Sequence, residues 1–82
     1  MIIIDVEVPI LGRVYDFKVN PKDKAGTVAE EMVRRIKEKE EGRQYKEEEN
    51  FLLCLPETQE ILNPAESLLS YAITDGTRLL LL

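Results

Sequence analysis

Only one stretch of this chain has the spacing of an amphipathic helix, and alternating β-type segments flank it on both sides. Its apolar residues recur three and four positions apart: Val28, Ala29, Met32, Val33 and Ile36. Thr27 and Glu30 fit a T-x-x-E capping box, so we expect a helix that begins at Thr27 and stops before Gly42. A single helix of about 14 residues covers one face of a small sheet and leaves the opposite face open.

The segments around this helix have the β-branched, alternating pattern that is typical of strands. We expect strands at residues 2–8, 14–19, 51–55, 60–62 and 77–82. In the first strand, Ile4, Val6 and Val8 share one face, and Asp5 and Glu7 share the other. This order of elements predicts an α+β fold of the β-grasp type, with a mixed sheet of four to five strands and the helix packed on one face. We expect a single domain spanning residues 1–82.

The composition lacks the side chains on which most catalytic and metal sites depend. The chain has no His and a single Cys, and its net charge is -5. We therefore expect no enzyme activity, no cofactor and no metal site. The negative charge disfavours nucleic acid and anionic lipid as partners. Residues 1–8 lack the basic lead-in of a signal peptide and no apolar span reaches 18 residues, which favours a cytoplasmic protein without direct membrane insertion.

The most informative pattern is LLSYAITDGTRLLLL, at residues 68–82. It resembles the end of ubiquitin-like proteins, in which the buried positions before and within the last strand correspond to Leu68, Tyr71, Ile73, Leu79 and Leu81. The form I-x-D-G-x-x-L-x-L is similar to that of one subgroup, the small YukD-type proteins of bacterial type VII secretion. The resemblance implies a ubiquitin-like fold over the whole chain. It also implies a non-conjugated, cytosolic accessory component of the secretion machinery, acting by contact with protein partners.

One departure from ubiquitin restricts the function that the resemblance implies. Conjugated modifiers and sulfur carriers of this fold end in a flexible tail with two glycines, whereas this sequence ends at Leu82, within the last expected strand. The sequence therefore disfavours conjugation and sulfur transfer and favours a protein-binding adaptor. Ubiquitin-like subunits also occur in multicomponent oxygenases, so a small accessory subunit of such an enzyme complex is the alternative.

The leucines at residues 79–82 supply the candidate binding site. If Leu79 and Leu81 face the helix, the two-residue period sends the other two leucines to the uncovered face. The same parity applies to the third strand, which neighbours the last strand in ubiquitin-like sheets. The predicted protein-binding patch comprises Leu52, Cys54, Leu80 and Leu82. Its occupant would be a partner protein or, in a homodimer, a second copy. The competing interpretations are ordinary exposed apolar residues, or a face covered by the protein's own loop.

Three further features have structural interpretations. Cys54 is expected to be a small apolar strand residue rather than a nucleophile. The acidic stretch at residues 38–49 is expected to be a solvated surface. Tyr71 is expected to pack against the domain while its hydroxyl bonds local backbone.

Overall fold

The β-strands in the described part of the chain form one mixed sheet. The computed structural model describes residues 1–39 and 51–82. The strands are β1 (Ile2–Val8), β2 (Arg13–Val19), β3 (Leu53–Leu55), β4 (Glu60–Ile61) and β5 (Arg78–Leu81). Their order across the sheet is β2-β1-β5-β3-β4. β1 and β5 are parallel, and the other neighbouring pairs are antiparallel. With one helix on this five-stranded sheet, the predicted α+β β-grasp architecture is confirmed.

The first two strands form an antiparallel hairpin. Their register runs without interruption from the pair Ile2 and Val19 to the pair Val8 and Arg13. A short 3₁₀ helix, Pro9–Leu11, makes the turn. Gly12 ends this turn in the left-handed region, with a φ of 62°, and its N–H donates to the Pro9 carbonyl at 3.1 Å. A glycine adopts this φ without the strain that a Cβ would add, so the turn closes without disturbing the two strands.

The helix α1 (Ala25–Lys39) begins two residues earlier than the capping box predicted, so that prediction is wrong. The N–H groups of Ala25 and Gly26 donate to the carbonyls of Glu66 (2.8 Å) and Pro64 (3.0 Å). Because a distant loop satisfies these free amides, Thr27 lies inside the first turn instead of capping it. The predicted stop at Gly42 and the acidic residues from 40 onward lie outside the described residues.

The core lies between α1 and one face of the sheet. The helix contributes its predicted apolar stripe, and the strands contribute their inward positions. The buried cluster consists of Ile4, Val6, Val8, Phe17, Ala25, Val28, Ala29, Met32, Ile36, Leu53, Leu62, Leu68, Ile73, Leu79 and Leu81. Since α1 packs on this face only, the side chains of opposite parity are left on the outer face of the sheet.

The segment before β5 fixes the position of that strand. Its 3₁₀ helix, Leu68–Tyr71, ends at a tyrosine whose Oη accepts the N–H of Asn63 at 2.8 Å, which confirms the predicted backbone bond. Asp75 Oδ1 accepts the N–H of Ile3 at 2.7 Å, and Gly76 turns the chain with a φ of 83°. These contacts hold β5 in register between β1 and β3.

Candidate functional site

The four residues of the predicted patch lie on neighbouring positions of the outer face. The N–H of Leu52 donates to the Leu82 carbonyl at 3.2 Å, and the N–H of Leu82 donates to the Leu52 carbonyl at 2.9 Å. Cys54 lies opposite Leu80 in the register of β3 and β5. β3 and β5 are both shorter than predicted, but the hydrogen-bonded pair of Leu52 and Leu82 extends their pairing by one residue on each strand. The strand register therefore brings the four residues together.

Their exposure is unequal, which changes the roles that they can have. Leu52 and Leu82 are 40% and 54% exposed, Leu80 is half-buried, and Cys54 is only 7% exposed. Cys54 lies on the outer face but between Leu80 on one side and Ile61 on the other, and these neighbours cover it. The prediction that Cys54 is an exposed member of the patch is therefore corrected: it forms the floor, and the leucines form the surface.

Sequence reasoning missed one apolar neighbour of this patch. Ile61 lies opposite Cys54 in the register of β3 and β4, and it is 56% exposed. The parity of the short β4 strand could have indicated this, because the next residue, Leu62, is in the core. We therefore define the apolar patch as Leu52, Cys54, Leu80, Leu82 and Ile61. It extends over three adjacent strands, β5, β3 and β4.

A charged region borders the apolar patch on the β1 side. Glu7 lies directly beside Leu80 in the parallel pairing of β1 and β5, and Asp5 lies beside Arg78. The guanidinium of Arg78 is 3.9 Å from a carboxylate oxygen of each of these two acids. Contacts of this length between exposed groups contribute little to stability, so the side chains can exchange partners at low cost.

The outer face also holds two acids in direct opposition. Asp5 and Asp16 are cross-strand partners in β1 and β2. A hydrogen bond between the two carboxyl groups raises the pKa of Asp16, and the charge of Asp5 and partial desolvation raise it further. Opposed like charges destabilise an antiparallel pair. The outer face thus carries the apolar patch on β5, β3 and β4, whereas β1 and β2 carry charged residues together with two exposed apolar ones, Ile3 and Val14.

The single cysteine of the chain lies on this face. The thiol of Cys54 is buried, with its Sγ 3.7 Å from the Leu55 carbonyl. Within residues 1–39 and 51–82, no three His, Cys, Asp or Glu side chains converge as a metal site would require. The one α-helix in these ranges is too short and too polar to cross a bilayer.

Comparison with known proteins supports the fold. No family model matches the sequence, and no curated protein matches it. Among solved structures, the chain is similar to the UBL domain of Plasmodium falciparum Dsk2, with a TM-score of 0.75 and 18% identity over 98% of this chain and 93% of that chain. It is also similar to AtBAG1, solved in complex with HSP70, with a TM-score of 0.73 and 11% identity, covering 100% of this chain and 40% of that one.

A third similar structure is the ubiquitin-like domain of an Arabidopsis thaliana protein. The TM-score is 0.71 and the identity is 15%, over 99% of this chain and 74% of the other. At these identities the likeness concerns the fold. Together with the five-stranded mixed sheet and the helix α1 packed on it, this likeness establishes that the chain has a ubiquitin-like fold.

Proposed function

We propose that this chain is a protein-binding adaptor that acts by contact, through the apolar patch on the outer face of its sheet. The supporting observation is the pair of Leu52 and Leu82, which are held side by side by two backbone hydrogen bonds and are both exposed. Ile61 continues this apolar surface on the far side of Cys54. α1 packs on the opposite face of the sheet, and no helix or strand within residues 1–39 and 51–82 lies over the patch.

The size of the patch limits what it can do alone. The exposed fractions of Leu52, Leu82 and Ile61 amount to about one and a half side chains, and burying them contributes about 2 to 4.5 kcal/mol. Association costs about 4 to 15 kcal/mol in lost freedom of motion. The apolar contact therefore supports a weak, exchangeable complex, and a tight complex needs polar contacts with the neighbouring charges on β1.

The most specific version of this proposal is a cytoplasmic accessory component of a bacterial type VII secretion system. It rests on the resemblance of the ending, from Ile73 through Asp75 and Gly76 to Leu81, to YukD-type proteins. In this version residues 1–82 act as one ubiquitin-like domain. A secretion ATPase and small helical substrates encoded beside it would support this role, whereas neighbouring oxygenase subunits would favour the accessory-subunit alternative.

The patch is tested by the double substitution Leu52→Lys with Leu82→Glu. It replaces both exposed leucines with opposite charges that face each other, so the net charge stays at -5 and the cross-strand pair remains favourable. The matched control is Ile3→Glu with Leu69→Lys, which makes the same changes at two exposed apolar residues outside the patch (51% and 56% exposed). Circular dichroism verifies that both variants fold.

The measurement is quantitative co-purification from the protein's own cell, followed by titration of the recovered partner. We expect the patch variant to lose the partner that the wild type and the control variant retain. If the patch variant and the control bind equally well while both are folded, the patch is not the binding site.

A further inference from the structure

A second feature of the sheet is its edge at β2. This strand pairs with β1 on one side, and within the described ranges no strand lies on its other side. Its seven residues include neither Pro nor Gly, and none has a positive φ. Long edge strands without a proline, a bulge or a cover are templates for pairing with another strand. Two charged residues of β2, Asp16 and Lys18, lie on the outer face and restrict the strands that can pair with it.

Asp16 and Lys18 carry opposite charges and lie on either side of Phe17 in the sequence. We propose that β2 pairs antiparallel with β2 of a second copy, with the two-fold axis at Phe17. Asp16 of each copy then lies opposite Lys18 of the other on the outer face, and the two Phe17 residues lie opposite each other on the helix side. A shift of the pairing by two residues in either direction keeps the same side chains on the outer face. It places Asp16 opposite Asp16 or Lys18 opposite Lys18, and opposed like charges disfavour both pairings.

The existing partner of Asp16 supports this pairing. On its β1 side, Asp16 faces the like charge of Asp5. Arg78, whose guanidinium is 3.9 Å from Asp5 and from Glu7, is shared between those two acids. A lysine from a second copy would supply positive charge on the other side of Asp16. The second strand would therefore relieve a repulsion that the single chain retains.

The helix leaves room for the second strand. An open groove of about 500 Å³ separates β2 from α1, with Phe17 and Ile36 at its base and Arg34 and Arg35 on the helix side. A similar groove continues past Lys18 and Val19 toward the start of α1. Pairing would join two five-stranded sheets into one continuous sheet.

The test is a charge reversal followed by a charge swap, measured by sedimentation equilibrium. We expect the wild type to form dimers, and Lys18→Glu to raise the dimer dissociation constant about tenfold or more, because both symmetric pairs become repulsive. Asp16→Lys combined with Lys18→Glu restores the attraction and should return the dissociation constant to about the wild-type value. Lys22→Glu is the matched control, since it makes the same charge change at an exposed residue beyond β2.

Cysteine cross-linking provides a second measurement of the register. A mixture of Asp16→Cys and Lys18→Cys proteins should form a disulfide-linked dimer under mild oxidation, in higher yield than either protein alone. A wild type that remains monomeric up to about 1 mM would overturn the proposal. So would a Lys18→Glu protein that dimerises as strongly as the wild type, or a dimer that is lost in Leu52→Lys with Leu82→Glu but not in Lys18→Glu.

Discussion

Replacing Gly26 with alanine would test how closely the loop at residues 63–67 packs against the start of α1. A Cβ at this position would lie 2.9 Å from the Cβ of Pro64 and 3.1 Å from the Pro64 carbonyl oxygen. Neither atom belongs to a flexible side chain. The N–H of Gly26 already donates to that carbonyl at 3.0 Å, so the loop cannot retreat without lengthening this hydrogen bond.

Two opposing effects determine the sign of this substitution. Alanine is favoured over glycine within a helix by about 1 kcal/mol. Overpacking costs about 1 to 3 kcal/mol, and weakening the hydrogen bond costs about 0.5 to 1.5 kcal/mol. The two costs together exceed the gain in propensity, so we expect Gly26→Ala to lower the free energy of unfolding by about 0.5 to 3.5 kcal/mol.

Urea denaturation measures this difference, with Thr27→Ala as the matched control. Thr27 is the next residue of α1 and is exposed, so alanine there gains helix propensity of about 0.5 kcal/mol without a clash. If Gly26→Ala raises the free energy of unfolding as much as Thr27→Ala does, Pro64 moves away from the new Cβ without cost. The close, rigid contact inferred between this loop and α1 is then wrong.

Three other substitutions test the pairing of β1 with β2 and the facing of β5. The raised pKa of Asp16 means that the folded chain holds its proton to a higher pH than the unfolded chain does. The free energy of unfolding therefore falls as the pH rises from the ordinary carboxyl pKa of 3.8 through the raised value. Asp16→Asn should remove this fall. Urea denaturation at several pH values, at concentrations where the chain is monomeric, measures the difference. Leu79→Ala, at a fully buried position, should lower the free energy of unfolding by about 2 to 5 kcal/mol. Leu82→Ala, at an exposed one, should change it by about 0.5 kcal/mol or less, and equal effects would contradict the facing of β5.

The sequence was sufficient for the parts of the fold that local patterns determine. Alternation in β1 distinguished Ile4 and Val6, which are buried, from Asp5 and Glu7, which are on the outer face. The apolar stripe of α1 identified the residues that pack on the sheet. In both elements the period of the side chains is a property of a few consecutive residues, and one buried face is enough to fix it.

What the sequence did not predict depends on residues that are distant along the chain. The start of α1 moved to Ala25 because Pro64 and Glu66 supply the acceptors for its first amides. The burial of Cys54 and the contribution of Ile61 to the apolar patch follow from the pairing of β3 with strands on both sides. Parity shows the face on which a side chain lies, but only the neighbouring strands decide whether that side chain remains exposed.

The sheet order separates the two proposed surfaces, and this has a consequence for binding. The edge of β2 is isolated from the apolar patch by β1, so a dimer formed through β2 would leave both patches uncovered. Antiparallel pairing keeps both outer faces on the same side, with the patches about 30 Å apart at ordinary strand spacing. A partner with two binding segments at that distance would gain avidity from the dimer. Lys18→Glu should therefore weaken binding to a densely coated surface of the partner while leaving the affinity for the isolated partner unchanged. Leu52→Lys with Leu82→Glu should abolish both, because it removes the contact on which avidity depends.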